Sequence, residues 1–159
     1  MTGQIDFERH VRAAQGYVEL GMFLEADAEL EEIDDELRQM PAALAVRATI
    51  YYTLKKWELL LVVARQLAIE QPENPQWCRS WAEATRQTVS VDAARNILLE
   101  AVERHPKDGA TQYNLACYEC LLGEMETAKA RLDHAFELDS SLRLAALTDP
   151  DLERLWSAL

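Results

Sequence analysis

Small and apolar positions recur along this chain at a fixed interval of 34 residues. Ala14, Ala48, Ala82 and Ala116 form one series. Twelve residues further on come Ala26, Leu60, Ala94 and Ala128, and seven beyond those come Ile33, Leu67, Ala101 and Ala135. The series define four gapless units, 7–40, 41–74, 75–108 and 109–142. Each unit reads as two helices. The first carries its alanine beside a bulky residue: Tyr17, Tyr51, Trp81 or Leu115. The second has apolar residues three and four apart, as in Ala94, Ile97, Leu98, Ala101 and Val102. Breaks within the units fall at Leu20-Gly21, Leu54-Lys55-Lys56, Thr88-Val89-Ser90 and Leu122-Gly123, where Gly21 and Gly123 suit a left-handed helix end. Met40-Pro41, QPENP at 71–75 and HPKDG at 105–109 separate the units, because proline removes a donor and stops a helix.

The alanines have a steric reason. Where two helices of a hairpin cross closely, any side chain larger than a methyl pushes their axes apart. One hairpin cannot bury both of its faces, so neighbouring units must stack. These features resemble the tetratricopeptide repeat: a 34-residue helix–turn–helix with small residues at its eighth and twentieth places and Pro72 or Pro106 near its end. The resemblance covers 7–142. It is most specific in units three and four, above all in NLACYECLLGEMETAKARLDHAFELD. Arg38 stands where unit one would have its closing proline, and Leu60 and Ala64 exchange a large and a small residue in unit two. It implies an all-α fold: an α–α superhelix, a right-handed solenoid of about four hairpins. Residues 143–159 form no fifth hairpin. Ser141 is expected to cap one short helix and Asp149-Pro150 to start another. Leu144, Leu147, Leu152, Leu155 and Trp156 are expected to cover the end of the stack.

The resemblance also assigns a concave groove to the first helix of each unit. The groove positions expected to touch a partner are Val11, Gln15, Val18, Thr49, Tyr52, Arg79, Glu83, Arg86, Tyr113, Cys117 and Cys120. Arg79 and Arg86 would grip a carboxylate of an extended peptide, since a guanidinium offers two parallel bonds, and Tyr52 and Tyr113 would pack its side chains. The competing expectation is that both arginines pair with Glu83 on their own helix. The places of the carboxylate clamp of heat-shock co-chaperones hold Val11, Gln15, Val46, Gln76 and Ser80. One unit on, they hold Ala45, Thr49, Ser80, Ala110 and Asn114. Only Asn114 has a matching chemical type, so that partner class is not expected.

Charge narrows the partners. The net charge is −12, which repels phosphate backbones, and no basic stripe offsets it, so nucleic acid is not expected. EADAELEEIDDE at 25–36 concentrates the acid and reads as a solvated helix face, with a docking patch for a basic partner as the alternative. No apolar run approaches the length of a bilayer span and no secretory signal is visible, so a soluble cytoplasmic protein with no membrane association is expected. Cys117-Tyr118-Glu119-Cys120 has the spacing of half a zinc site or a redox pair. It falls mid-helix, away from the helix N-terminus that lowers a thiol pKa, and no second ligand pair accompanies it. No metal and no cofactor is expected. No phosphate loop, zinc-protease or nucleophile-elbow pattern occurs, so the chain is not expected to be an enzyme. The function the resemblance implies is a protein-interaction adaptor that binds a peptide or helix in its groove. Two alternatives stand beside it: a chaperone of a bacterial secretion system, a class of similar size and acidity, and a scaffold that self-assembles as a homo-oligomer, with the stack ends or groove filled by a second copy.

Overall fold

The computed structural model describes residues 2–159, which are helical with short connections and contain no strand. In chain order the helices are α1 (Thr2–Glu19), α2 (Phe23–Glu31), α3 (Pro41–Thr53), α4 (Trp57–Glu70), α5 (Pro75–Thr88), α6 (Val91–Arg104), α7 (Gly109–Leu121), α8 (Met125–Leu138) and α9 (Leu142–Ala146). Two stretches are 3₁₀-helical, Leu37–Gln39 and a C-terminal segment, Pro150–Ala158. The chain forms two compact units, one ending at Pro72 and one spanning Glu73–Leu159.

Local chemistry sets the helix ends. Gly21 and Gly123 take left-handed backbone angles, φ 73° and 88°. Each is followed by a six-residue closing bond, Met22 N–H to the Tyr17 carbonyl at 2.8 Å and Glu124 N–H to that of Glu119 at 2.9 Å. Lys55 occupies the same place after α3 with φ 55°, although its Cβ opposes that conformation. At the starts, Asn74, Ser90, Asp108 and Asp149 each accept a backbone N–H of the first turn. Pro75 and Pro150 follow two of these caps, where a missing N–H costs nothing.

The periodic positions are the core. None of the twelve residues in the three series is more than 3% exposed. In the first unit, α1 pairs with α2 and α3 with α4, and α3 also lies against α1 and α2. In the second, α7 is enclosed by α6, α8 and the C-terminal 3₁₀ segment, and it also touches α5. Its residues Leu115 to Cys120 are consequently all buried. One of them is an acid: Glu119 is 2% exposed and accepts a 2.7 Å bond from Arg131 Nε on α8. Gly109, at the start of α7, meets the end of α8 so closely that a Cβ there would lie 3.3 Å from the Ala135 carbonyl oxygen.

Two local expectations change. The acidic stretch 25–36 is not one helix face, because α2 ends at Glu31. Asp34 and Asp35 favour turns over helix interiors. Arg38 then closes the turn by donating to the Ile33 carbonyl at 2.6 Å, to Glu31 at 2.7 Å and to Asp35, while Arg47 also holds Glu31. Ser141 does not cap α9; its hydroxyl and amide donate to Asp139 at 2.6 and 3.0 Å.

Candidate functional site

The densest set of cross-helix polar contacts in the second unit lies where α5 and α7 meet the C-terminal segment. Arg86, on the last turn of α5, donates twice to Asp151, at 2.5 and 2.9 Å, and lies 3.7 Å from Glu83. Its guanidinium stands 5.7 Å from the centroid of the Tyr118 ring, a cation–π arrangement. Tyr118 in turn donates its hydroxyl to Glu83 at 3.0 Å. Tyr113, earlier on α7, donates its hydroxyl to Asp149 at 2.7 Å, and Cys117 Sγ lies 3.7 Å from the same carboxylate oxygen. The other oxygen of Asp149 accepts the Asp151 N–H at 3.0 Å, so one side chain both caps the segment and anchors it.

Leu152 and Leu155 follow the two acids and are buried, at 0% and 6% exposure. Leu144, Leu147 and Trp156, expected to share the covering role, are exposed instead. The reason is geometric: α9 is five residues long and lies against α8, whereas the following segment lies along α7. Trp156 uses its Nε1–H, which donates to the Ala146 carbonyl at 3.0 Å and so ties the segment back to α9.

The protonation states follow from this packing. Burial works against the Arg86 cation, but the hydrogen bonds and charge of Asp151, with Glu83, outweigh it and raise its pKa. Burial first, and then the hydrogen bond to Asp149, push the Tyr113 hydroxyl far above its ordinary range. Burial and the charge of Glu83 do the same for Tyr118. The Cys117 thiol is held protonated by burial and by the two carboxylates beside it. All three groups are therefore neutral donors facing carboxylates.

Cys117, Asp149 and Asp151 bring ligand-type atoms within 4.8 Å of one another. Their chemistry does not suit a cation: Arg86 already grips Asp151, Tyr113 occupies Asp149, and the thiol is held protonated. Cys120, the second cysteine of the pair, is fully buried and its Sγ faces the sulfur of Met125 at 3.9 Å.

The remaining groove positions separate into those near this cluster and those in the other unit. Arg79 does not pair with Glu83. It donates to Asp108 at 2.5 Å and to the Thr111 hydroxyl at 3.3 Å, buttressing the cap of α7. Glu83 accepts from Tyr118 and from Gln87. In the first unit, α1 carries Val11, which is buried, Val18, which is half-buried, and the exposed Gln15. On α3, Thr49 is exposed and donates to the Ala45 carbonyl at 3.1 Å. Tyr52 is 49% exposed and meets Trp57 edge-on, with ring centroids 5.8 Å apart. Sequence reasoning missed Tyr118, Asp149 and Asp151 as site residues. Asp149 was legible only as a helix start, Tyr118 only as a neighbour of the cysteines, and nothing local singled out Asp151.

A helix hairpin array built on buried small residues, with a left-handed residue in the turns after α1, α3 and α7, is a tetratricopeptide-repeat-like fold. Solved structures resemble it, three of them as follows. TTC0263, a thermophilic tetratricopeptide-repeat protein of Thermus thermophilus, is 20% identical over 96% of this chain and 82% of its own, with a TM-score of 0.72. MamA MSR-1 C2 is 20% identical over 85% of this chain and 78% of its own, with a TM-score of 0.72. The MamA RS-1 ArsTM double mutant is 17% identical over 86% and 77%, with a TM-score of 0.75. At these identities the likeness concerns the fold. No protein-family model matches the chain, and no curated protein matches it. No described helix is long and apolar enough to cross a membrane.

Proposed function

We propose that this chain is a non-catalytic protein-interaction adaptor that holds a peptide or helix of a partner on a face that first helices of its repeats form within a unit. One observation carries this reading. The α5–α7 face already holds a short helical segment, gripping its carboxylates with Arg86 and Tyr113 and covering its leucines. That is helix-in-groove recognition with polar selectivity added. In the first unit Val11 is buried, and Gln15, Val18, Thr49 and Tyr52 would offer a surface of their own, with Tyr52 an amphipathic anchor. The net charge of −12 argues against nucleic acid as the partner. Three free, buried cysteines suit the reducing cytoplasm, where unpaired thiols persist.

The test is affinity capture from a lysate of the source organism, followed by mass spectrometry. Wild type is compared with Arg86→Glu, with Tyr52→Ala, and with a chain carrying Glu32→Lys and Asp34→Lys in the acidic turn, each shown to keep native helical circular dichroism. A partner lost from the groove variants and kept by the acidic-turn variant is the expected result. A partner kept by both groove variants and lost from the acidic-turn variant would move the binding surface off the groove.

A further inference from the structure

The C-terminal segment has the properties of an exchangeable ligand more than of a core helix. It is 3₁₀ throughout, Pro150–Ala158, a geometry with poorer hydrogen bonds that is uncommon beyond one turn. The residues leading into it, Leu147 and Thr148, are exposed, and so are Pro150, Glu153, Arg154 and Trp156 along it. Two acids and two leucines hold it to α5 and α7. Asp149 meets Tyr113 and Cys117, Asp151 meets Arg86, and Leu152 and Leu155 are buried. The receiving side is correspondingly specific: a cation and neutral hydroxyl and thiol groups, set in a protein whose net charge is −12.

We infer that the α5–α7 face is a receptor for acidic helical segments of the form Asp-x-Asp-Leu-x-x-Leu, and that residues 149–155 are its intramolecular competitor. This rests on the adaptor reading and names the partner class for it. The two carboxylates, two residues apart, reach Tyr113 and Arg86. The leucines, at the third and sixth places after the first acid, take the sites of Leu152 and Leu155. A partner segment with this pattern displaces the chain's own segment, so affinity depends on how readily that segment leaves. A basic or wholly apolar helix leaves Arg86 with only Glu83 of its own helix and Tyr113 without its acceptor, and is rejected.

The probe is a fluorescein-labelled peptide of residues 148–159, TDPDLERLWSAL, titrated with full-length chain and followed by fluorescence anisotropy. A chain carrying Leu152→Asp and Leu155→Asp has a weakened competitor, and it is expected to bind the peptide at least ~10-fold tighter than wild type. Adding Arg86→Glu removes that gain, and so does replacing both aspartates of the peptide by alanine. Equal binding by the two chains, or binding indifferent to Arg86→Glu, overturns the inference. Should the leucine variant lose its helical signal, hydrogen exchange on the wild-type chain decides instead. The amides of 151–156 must exchange at least ~10-fold faster than those of α7 and α8; exchange in step with α7 means the segment is an inseparable part of the unit. A wild-type dimer that falls apart on adding free peptide would assign the face to a second copy of this chain. If the peptide fails while Arg86→Glu still releases a captured partner, only the acidic class is removed and the groove reading stands.

Discussion

The Arg86–Asp151 pair is the contact on which the arrangement of the second unit turns, and its strength is measurable. Arg86→Ala removes two charge-assisted hydrogen bonds, at 2.5 and 2.9 Å, between side chains that are each 22% exposed. Two unit charges about 4 Å apart interact by about 4 kcal/mol at an effective dielectric of 20, and by about 1 kcal/mol in water. Fully exposed pairs are worth at most about 1 kcal/mol, and hydrogen bonds to charged groups contribute about 1.5–3 kcal/mol. A pair with roughly four-fifths of each side chain covered falls between these limits, so we expect a coupling energy of about 1.5–2.5 kcal/mol. The single variant also loses the Tyr118 ring contact, so only a cycle isolates the pair. Arg86→Ala, Asp151→Ala and the double variant would be unfolded in urea at pH 7 and followed by circular dichroism. The measurement repeats at low salt and in 0.5 M NaCl, where a covered pair keeps most of its coupling. A coupling below about 0.5 kcal/mol, or one abolished by salt, would refute the claim that this ion pair fastens the segment to α5.

Other consequences are independent of that pair. Lys55→Gly should stabilise the first unit by about 0.5–1 kcal/mol, read from the urea midpoint, because φ 55° opposes a Cβ and suits glycine. Ala116→Leu should destabilise by about 1–3 kcal/mol or more, since Ala116 is fully buried on a helix enclosed by its neighbours; unchanged stability would deny close helix approach there. Leu152→Ala, at 0% exposure, should cost about 2–4 kcal/mol, read from the urea midpoint; an unchanged midpoint would deny that the segment is docked on α7. Stability should also fall in alkali. Tyr113, Tyr118 and Cys117 have folded pKa values raised above their ordinary 10.0, 10.0 and 9.0, so the folded chain holds protons that the unfolded chain releases. Their contribution is complete below about pH 8.5 and declines as pH rises past the ordinary thiol and phenol values. Denaturation midpoints from pH 7 to 11 should show this decline, and Cys117→Ala should delay its onset; a flat profile would contradict the buried neutral thiol.

The fold was legible in the sequence because its cause is local and repeated. Ala14, Ala48, Ala82 and Ala116 sit at one period because each must admit a neighbouring helix, and all four are buried. Gly21 and Gly123 announce left-handed turns, and Asp149 announces a cap, through interactions within a few residues of themselves. Where such information is weak, the pattern misleads: Lys55 takes a glycine's conformation without being one, and Asp34 and Asp35 lie in a turn although the acidic run reads as continuous helix.

The site itself was only half determined by the sequence. The period placed Arg86, Tyr113 and Cys117 on first helices, and charge made an acidic ligand the natural complement of the arginines. It offered no means of choosing which acid each would meet. Arg79 meets Asp108, 29 residues on, and Arg86 meets Asp151, 65 residues on. Helical periodicity fixes which side chains share a face, because 3.6 residues complete a turn whatever lies beyond it. The path of the chain after α8 is not periodic. It depends on whether Leu152 and Leu155 find more apolar surface along α7 than elsewhere, which is a property of the assembled helices and of no stretch of sequence read alone.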